Sequence, residues 1–220
     1  AVGSLDTASD IDYWRFDAEA GDRLTAAIES DGSIPTVELR NAADGFLVTS
    51  PLNFTIPGPG TYYLRVTGSA AHYSLRIDQS RSTTQLEIEA NNSQANATFL
   101  ALAGAGGVAS ALVAGALPAG DSAGDYFRLN TLNTGNSINL SLALPSFGTL
   151  ATSDVRLSIE QSGSSTPLAT STNGTLNYST AANTISYVRV EGLSNRALRA
   201  QYLLTANVID AIQPQILTTS

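Results

Sequence analysis

The chain is predicted to be all-β, folded as two tandem antiparallel β-sandwiches of jelly-roll-like form. Apolar and polar residues alternate along many short segments, whereas no segment of useful length places apolar residues at helical spacing. Glycine, proline and asparagine punctuate these segments at short intervals, as in antiparallel sandwiches and barrels. One stretch also occurs twice, as DYWRFDAEAG from Asp12 to Gly21 and as DYFRLNTLNTG from Asp125 to Gly135. A repeat at long spacing means that one folding unit has been used twice.

The neighbouring segments repeat in the same order. Gly3-Ser4-Leu5 is answered by Gly115-Ala116-Leu117, and Thr36-Val37-Glu38-Leu39-Arg40 by Asp154-Val155-Arg156-Leu157-Ser158. Tyr62-Tyr63-Leu64-Arg65-Val66 is answered by Ser186-Tyr187-Val188-Arg189-Val190, and Tyr73-Ser74-Leu75-Arg76-Ile77 by Tyr202-Leu203-Leu204-Thr205-Ala206. The offset grows from 113 residues at Asp12 to 129 at Tyr73, so the second unit carries longer loops on the same frame.

In the first unit the period of two points Trp14 and Phe16 inward, followed by Leu24, Ala26 and Ile28, Val37 and Leu39, Tyr62, Leu64 and Val66, and Tyr73, Leu75 and Ile77. The second unit repeats the pattern with Phe127 and Leu129, Ile138, Leu140 and Leu142, Val155, Leu157 and Ile159, Val188 and Val190, and Tyr202 and Leu204. Trp14 and Phe127 are expected at equivalent buried positions. Turns are read at Gly21-Asp22, Asp31-Gly32, Asp44-Gly45, Pro57-Gly58-Pro59-Gly60, Gly135-Asn136, Gly163 and Asn173-Gly174. The units are read as residues 1–79 and 87–209, joined by a polar linker over 80–86 and followed by a tail over 210–220.

Composition bounds the rest. Hydrophobic content of 43% with 14% charged residues suits a core-bearing protein. No apolar run approaches the roughly 20 residues needed to span a bilayer. The longest candidate, Phe99 to Ala119, is broken by Gly104, Gly106, Gly107 and Gly115 and reads as loop plus strand. Without an initiator Met, the chain is expected to be a processed product or a piece of something longer. It has no Cys, which excludes a disulfide framework and Cys-ligated metal and suits a secreted bacterial protein. The net charge is −8; residues 1–79 hold eleven acidic and five basic side chains, the remainder eight and six. That balance argues against nucleic acid, which demands clustered basic charge, and favours cations.

Taken in order, these segments resemble the bacterial pre-peptidase C-terminal domain, a jelly-roll-like sandwich family that includes the collagen-binding domains of clostridial collagenases. The first unit shows Asp10-Ile11-Asp12-Tyr13-Trp14-Arg15-Phe16, Leu39-Arg40-Asn41-Ala42-Ala43-Asp44-Gly45 and Gly60-Thr61-Tyr62-Tyr63-Leu64-Arg65-Val66. The second shows the acidic lead-in Glu87-Ile88-Glu89-Ala90-Asn91-Asn92-Ser93 and then Asp125-Tyr126-Phe127-Arg128-Leu129. It departs from the family at Asn183-Thr184-Ile185-Ser186-Tyr187, where Gly-Thr-Tyr-Tyr is usual, and at Ala90, where Pro is common. The first unit starts after the lead-in, so its own acidic segment is expected before Ala1.

Glu87, Glu89, Asn91 and Asn92 offer four oxygen-bearing groups within six residues, and positions 87, 89 and 91 point the same way on an extended segment. Hard cations such as Ca²⁺ want six to eight such oxygens. The resemblance implies a calcium site made of Glu87, Glu89, Asn91, Asn92, Asp121 and Asp125; a solvated linker with ordinary turn residues is the plainer reading. Asp10 and Asp12 are weaker candidates in the first unit. Tyr63 with Arg65, and Tyr187 with Arg189, fall on the outward face of matching strands. They suit solvated β-structure, with a ligand face shared by both units as the alternative.

His72 is the single histidine, between Ala71 and Tyr73 at a strand start, and no Ser/His/Asp set or G-x-S-x-G elbow accompanies it. No catalytic activity is therefore expected. The resemblance implies a non-catalytic targeting, spacing or maturation module of a larger secreted or cell-surface bacterial protein, acting on an extracellular polymer or protein surface. The alternative is a structural or adhesive subunit that self-associates in an extracellular assembly. No nucleic acid partner and no membrane span are expected.

Overall fold

A computed structural model of the chain describes residues 1–81 and 83–210. The chain divides into two compact units, Ala1–Ser82 and Thr83–Ser220. Of the tail read over 210–220, all but Asp210 lies outside the described residues.

The first unit contains β1 (Val2–Leu5), β2 (Ile11–Ala18), β3 (Arg23–Ser30), β4 (Thr36–Asn41), β5 (Phe46–Thr49), β6 (Leu52–Thr55), β7 (Gly60–Thr67) and β8 (Ala71–Ser80). They form two four-stranded sheets, ordered β1-β8-β3-β6 and β2-β7-β4-β5, with every pair antiparallel. This is the strand order of an eight-stranded jelly roll. The alternation seen in the sequence puts Leu5, Leu24 and Leu75 of one sheet against Leu39, Leu64 and Val66 of the other in a single core. On β2, Arg15 and Asp17 are exposed while Trp14 and Phe16 pack against that core.

The second unit contains β9 (Thr84–Leu86), β10 (Thr98–Phe99), β11 (Ala103–Ala105), β12 (Val108–Ala116), β13 (Asp125–Leu132), β14 (Ser137–Ala143), β15 (Val155–Gln161), β16 (Ala169–Ser171), β17 (Thr175–Ser179), β18 (Thr184–Gly192) and β19 (Gln201–Ile209). Strands β12 to β19 repeat β1 to β8 in the same order, β12-β19-β14-β17 facing β13-β18-β15-β16. The core joins Val113, Ile138 and Leu204 to Phe127, Leu157 and Val188. Three short strands are added: β10 extends the second sheet parallel to β13, while β9, parallel, and β11, antiparallel, join β12. Among the described residues, helix is confined to two 3-10 turns, Gln94–Asn96 and Thr152–Asp154.

Four details depart from expectation. The span read as a linker over 80–86 is largely structured, because Ser80 ends β8 and Thr84–Leu86 is β9, with Leu86 buried. Phe99 to Ala119 forms the β11/β12 hairpin rather than a loop before one strand. Trp14 and Phe127 are equivalent, since Trp14 faces Leu64 and Phe127 faces Val188, yet Trp14 is half-buried and Phe127 fully buried. Finally, Val37 faces Val66 whereas Leu157 faces Val190, so Val37 is answered by Leu157 and not by Val155. A slip of two residues preserves the in–out pattern and is invisible to alternation alone.

Each unit is closed by one tyrosine. Gly3 lies opposite Tyr73, and Gly115 opposite Tyr202. A Cβ on Gly3 would stand 2.4 Å from the Tyr73 ring and hydroxyl, and a Cβ on Gly115 2.4 Å from the Tyr202 hydroxyl. Tyr73 has no freedom to yield, because its hydroxyl accepts from Trp14 Nε1 at 2.9 Å and donates to Asp12 at 2.5 Å. Gly3→Ala therefore destabilises the first unit by roughly 1–3 kcal/mol through overpacking. Urea unfolding followed by fluorescence of Trp14, the only tryptophan, reads this directly; an unchanged midpoint contradicts it.

Candidate metal centre

The acidic lead-in of the second unit is held against its own sandwich. Glu87 follows β9, its N–H donating to the Ala114 carbonyl at 3.0 Å while its Oε1 accepts from the Ala116 N–H at 2.7 Å. The Asn91 carbonyl accepts from the Tyr126 N–H at 2.9 Å, and the Asn91 amide reaches Thr98 Oγ1 at 3.5 Å. From the other side, Asp121 Oδ1 accepts from the Gly124 N–H at 2.9 Å. Gly124 has φ +75°, and a Cβ there would meet the Val190 carbonyl at 2.4 Å, so only glycine fits the turn that delivers Asp125 to the start of β13.

Tyr202 completes the site from the opposite sheet. Its buried hydroxyl donates to Asp125 Oδ2 at 2.6 Å, with Glu87 Oε2 at 3.4 Å. Carboxylate oxygens of Glu87, Glu89 and Asp125 lie within 4.8 Å of one another. Glu87, Asn91, Asp121 and Asp125 are all buried, and Asn91 Oδ1, Asp121 Oδ2 and Asp125 Oδ1 have no hydrogen-bond partner. Burial pushes the Asp125 carboxyl well above the ordinary range, and the charge of Glu87, followed by those of Asp121 and Glu89, adds to the effect against the Tyr202 hydrogen bond. Burial likewise raises the Tyr202 hydroxyl.

An unpartnered buried acceptor costs about 1–3 kcal/mol, and more when charged. Such oxygens beside the converging carboxylates of Glu87, Glu89 and Asp125 suit a cation that would neutralise them. With only oxygen donors in the set, the preference is for a hard ion. Of the six residues singled out in the sequence, Glu87, Glu89 and Asp125 converge, and Asn91 and Asp121 stand beside them with buried free oxygens. Asn92 is exposed, one residue past buried Asn91 on the alternating segment. Sequence reasoning missed Tyr202 as the organising donor, although its pairing with Tyr73 in the repeat signalled a shared role.

Among the described residues the first unit keeps the frame of this site with no segment equivalent to the lead-in. Tyr73 donates to Asp12 as Tyr202 does to Asp125, and burial followed by the Asp12 bond pushes its hydroxyl up to about 12. Asp10 is engaged elsewhere, accepting from the backbone N–H groups of Asp6 and Ile11.

The expected pair of outward faces is corrected. Tyr63 and Arg65 are partly buried, with Tyr63 edge-on to Tyr13 and Arg65 paired to Glu38 at 2.9 Å. The same glutamate also binds Arg40, and these bonds hold its carboxyl below the usual range. Tyr187 is only 7% exposed, and Arg189 lies over the Tyr126 ring with its Nε donating to the Ala123 carbonyl. The cause is the segment 91–97, which crosses this face. Its Gln94 side chain bonds Glu160 and the carbonyls of Gln161 and Ser164.

No protein-family model matches the chain, and no curated protein does. Among solved structures, the periplasmic lysozyme inhibitor PliG of Aeromonas hydrophila, an inhibitor of g-type lysozyme, aligns with 57% of this chain and 97% of its own. The identity is 13% and the TM-score 0.37. The CUB1-EGF-CUB2 domain of human MASP-1/3 aligns with 93% of this chain and 98% of its own, at 11% identity and a TM-score of 0.19. At these scores neither likeness bears on what the chain does. Among the described residues, no helix is long and apolar enough to cross a membrane.

The elevated Asp125 pKa sets a pH dependence. A carboxyl whose folded pKa exceeds its unfolded value binds more protons in the folded state between the two values, so stability falls as pH rises through that window. In chelator, the second unit therefore loses stability as pH rises from the ordinary carboxyl value of 3.8. Asp125→Asn flattens that slope. Urea midpoints measured from pH 4 to pH 8 check this, and a parent slope that rises with pH contradicts it.

Proposed function

We propose that the chain is a non-catalytic, calcium-stabilised accessory region of a larger secreted or cell-surface bacterial protein, built from two pre-peptidase C-terminal-type modules. The observation that carries this reading is the oxygen-only cluster of Glu87, Glu89 and Asp125, flanked by the unpartnered oxygens of Asn91 and Asp121. Calcium accepts six to eight oxygens in flexible geometry, and extracellular modules bind it at roughly 10⁻⁴–10⁻³ M, a range met outside cells. In this reading Glu87, Glu89 and Asp125 hold the ion, with Asn91 and Asp121 as further oxygen donors. The ion neutralises the buried carboxylates and locks the lead-in to β13.

The module assignment is supported by the Gly–Tyr–Asp set common to both units, Gly3, Tyr73 and Asp12 beside Gly115, Tyr202 and Asp125. A binding role is supported by the first unit's outer face, where Tyr13 is 47% exposed beside Tyr63 and the Arg65–Glu38 pair. The partner is an extracellular polymer or protein surface. The non-catalytic reading is supported by the single histidine, exposed at the start of β8, and by carboxylates arranged as a ligand set.

A ligand bound only by the folded state stabilises it by about 2.7 kcal/mol at a hundredfold excess over Kd. CaCl2 at about 10 mM, roughly ten- to a hundredfold over that Kd, is expected to raise the melting temperature of the second unit by several degrees relative to EGTA, and Glu89→Ala, at an exposed position, to abolish the response. Identical melting in both conditions overturns the calcium assignment. Hydrolysis of gelatin, casein or a polysaccharide by the purified chain overturns the accessory role separately.

A further inference from the structure

The two units differ at one edge. In the second, β13 is flanked by β18 on one side and by the lead-in on the other: Thr98 and Phe99 of β10 run parallel beside Phe127 and Arg128. The Tyr126 N–H donates to the Asn91 carbonyl, and the Arg128 carbonyl accepts from the Leu100 N–H at 3.0 Å. Among the described residues the equivalent strand of the first unit, β2, pairs with β7 alone and ends its sheet. Tyr13 and Arg15, which correspond to Tyr126 and Arg128, therefore turn their backbone groups to an open edge.

The face beside that edge differs in the same way. Tyr126 and Tyr187 are 8% and 7% exposed beneath the lead-in, and Ser158 and Glu160 are buried with them. Tyr13, the counterpart of Tyr126, is 47% exposed, Ile11 42%, and Phe46 on β5 54%. An apolar-rimmed face next to an unpaired strand is a template for strand addition.

We propose that β2 and this face accept an extended polypeptide segment with the chemistry of residues 87–99, acidic and amide-rich, running parallel to β2 and crossing towards β4. The second unit shows the fit on the same frame. Charge refines it: Arg40 stands opposite Tyr63 as Glu160 stands opposite Tyr187, so the side chain that takes the place of Gln94 must present an acceptor oxygen. The occupant donates one N–H to the Arg15 carbonyl and accepts one bond from the Tyr13 N–H.

Because Gly3 and Gly115 are equivalent, residues 83–112 grafted directly ahead of Ala1 reproduce the spacing of the second unit. Amide exchange by NMR on the full chain reads the result. The graft is expected to slow exchange at Tyr13 at least tenfold, and Leu100→Pro in the grafted copy to weaken that protection. A synthetic peptide of residues 84–100, added in millimolar excess to the parent, is expected to shift the Tyr13 and Arg15 resonances. Unchanged exchange in the graft together with unshifted resonances overturns the proposal. Protection of Tyr13 in the parent that grows with protein concentration assigns the edge to a second copy and overturns the stated occupant.

Discussion

In each unit a tyrosine hydroxyl on one sheet donates to an aspartate on the other, beneath a glycine that has no room for a Cβ. Tyr73 reaches from β8 to Asp12 on β2, and Tyr202 from β19 to Asp125 on β13. A buried carboxylate is costly unless it is bonded, so the bond fixes how the two sheets meet and where the start of β2 or β13 lies. In the second unit the same bond places Asp125 beside Glu87. The candidate metal centre thus grows from a contact that both units share.

The lead-in accounts for most of what distinguishes the units. Where it is present, it supplies Glu87, Glu89 and Asn91, adds β9 and β10, and covers Tyr126, Tyr187 and Glu160. On the first unit's described residues the corresponding face carries Tyr13 half in solvent and Tyr63 partly buried, beside a largely buried network of Glu38 with Arg40 and Arg65. One frame therefore presents a closed, charge-loaded side in one copy and an open aromatic side in the other. The difference between the copies lies in the buried apolar area and the backbone bonds that the lead-in provides.

Much of the fold is legible because its signals are local. The period of two in Trp14-Arg15-Phe16-Asp17 names the inward face, Gly and Asn mark the turns, and the repeat shows one architecture twice. Three things were not legible for physical reasons. Thr84-Gln85-Leu86 is too short to show alternation, so β9 read as linker. The match of Val37 to Val155 slipped by two, because a two-residue shift keeps every side chain on its face. Tyr187 read as outward because a strand pattern reports which side of the sheet a residue takes, not whether a remote segment lies over it. At the candidate site, the spacing of Glu87, Glu89 and Asn91 was visible along the chain, whereas the Tyr202 hydroxyl that organises them comes from a strand 115 residues beyond Glu87.

The central claim is that the lead-in and the start of β13 together form a cation site. A crystal structure of the chain grown in calcium, with anomalous data, tests it most directly. The account predicts one anomalous peak among the carboxylates of Glu87, Glu89 and Asp125, with oxygens at roughly 2.3–2.6 Å. Clear density for the lead-in in this position, with no peak and with those carboxylates bonded only to one another or to water, would contradict it.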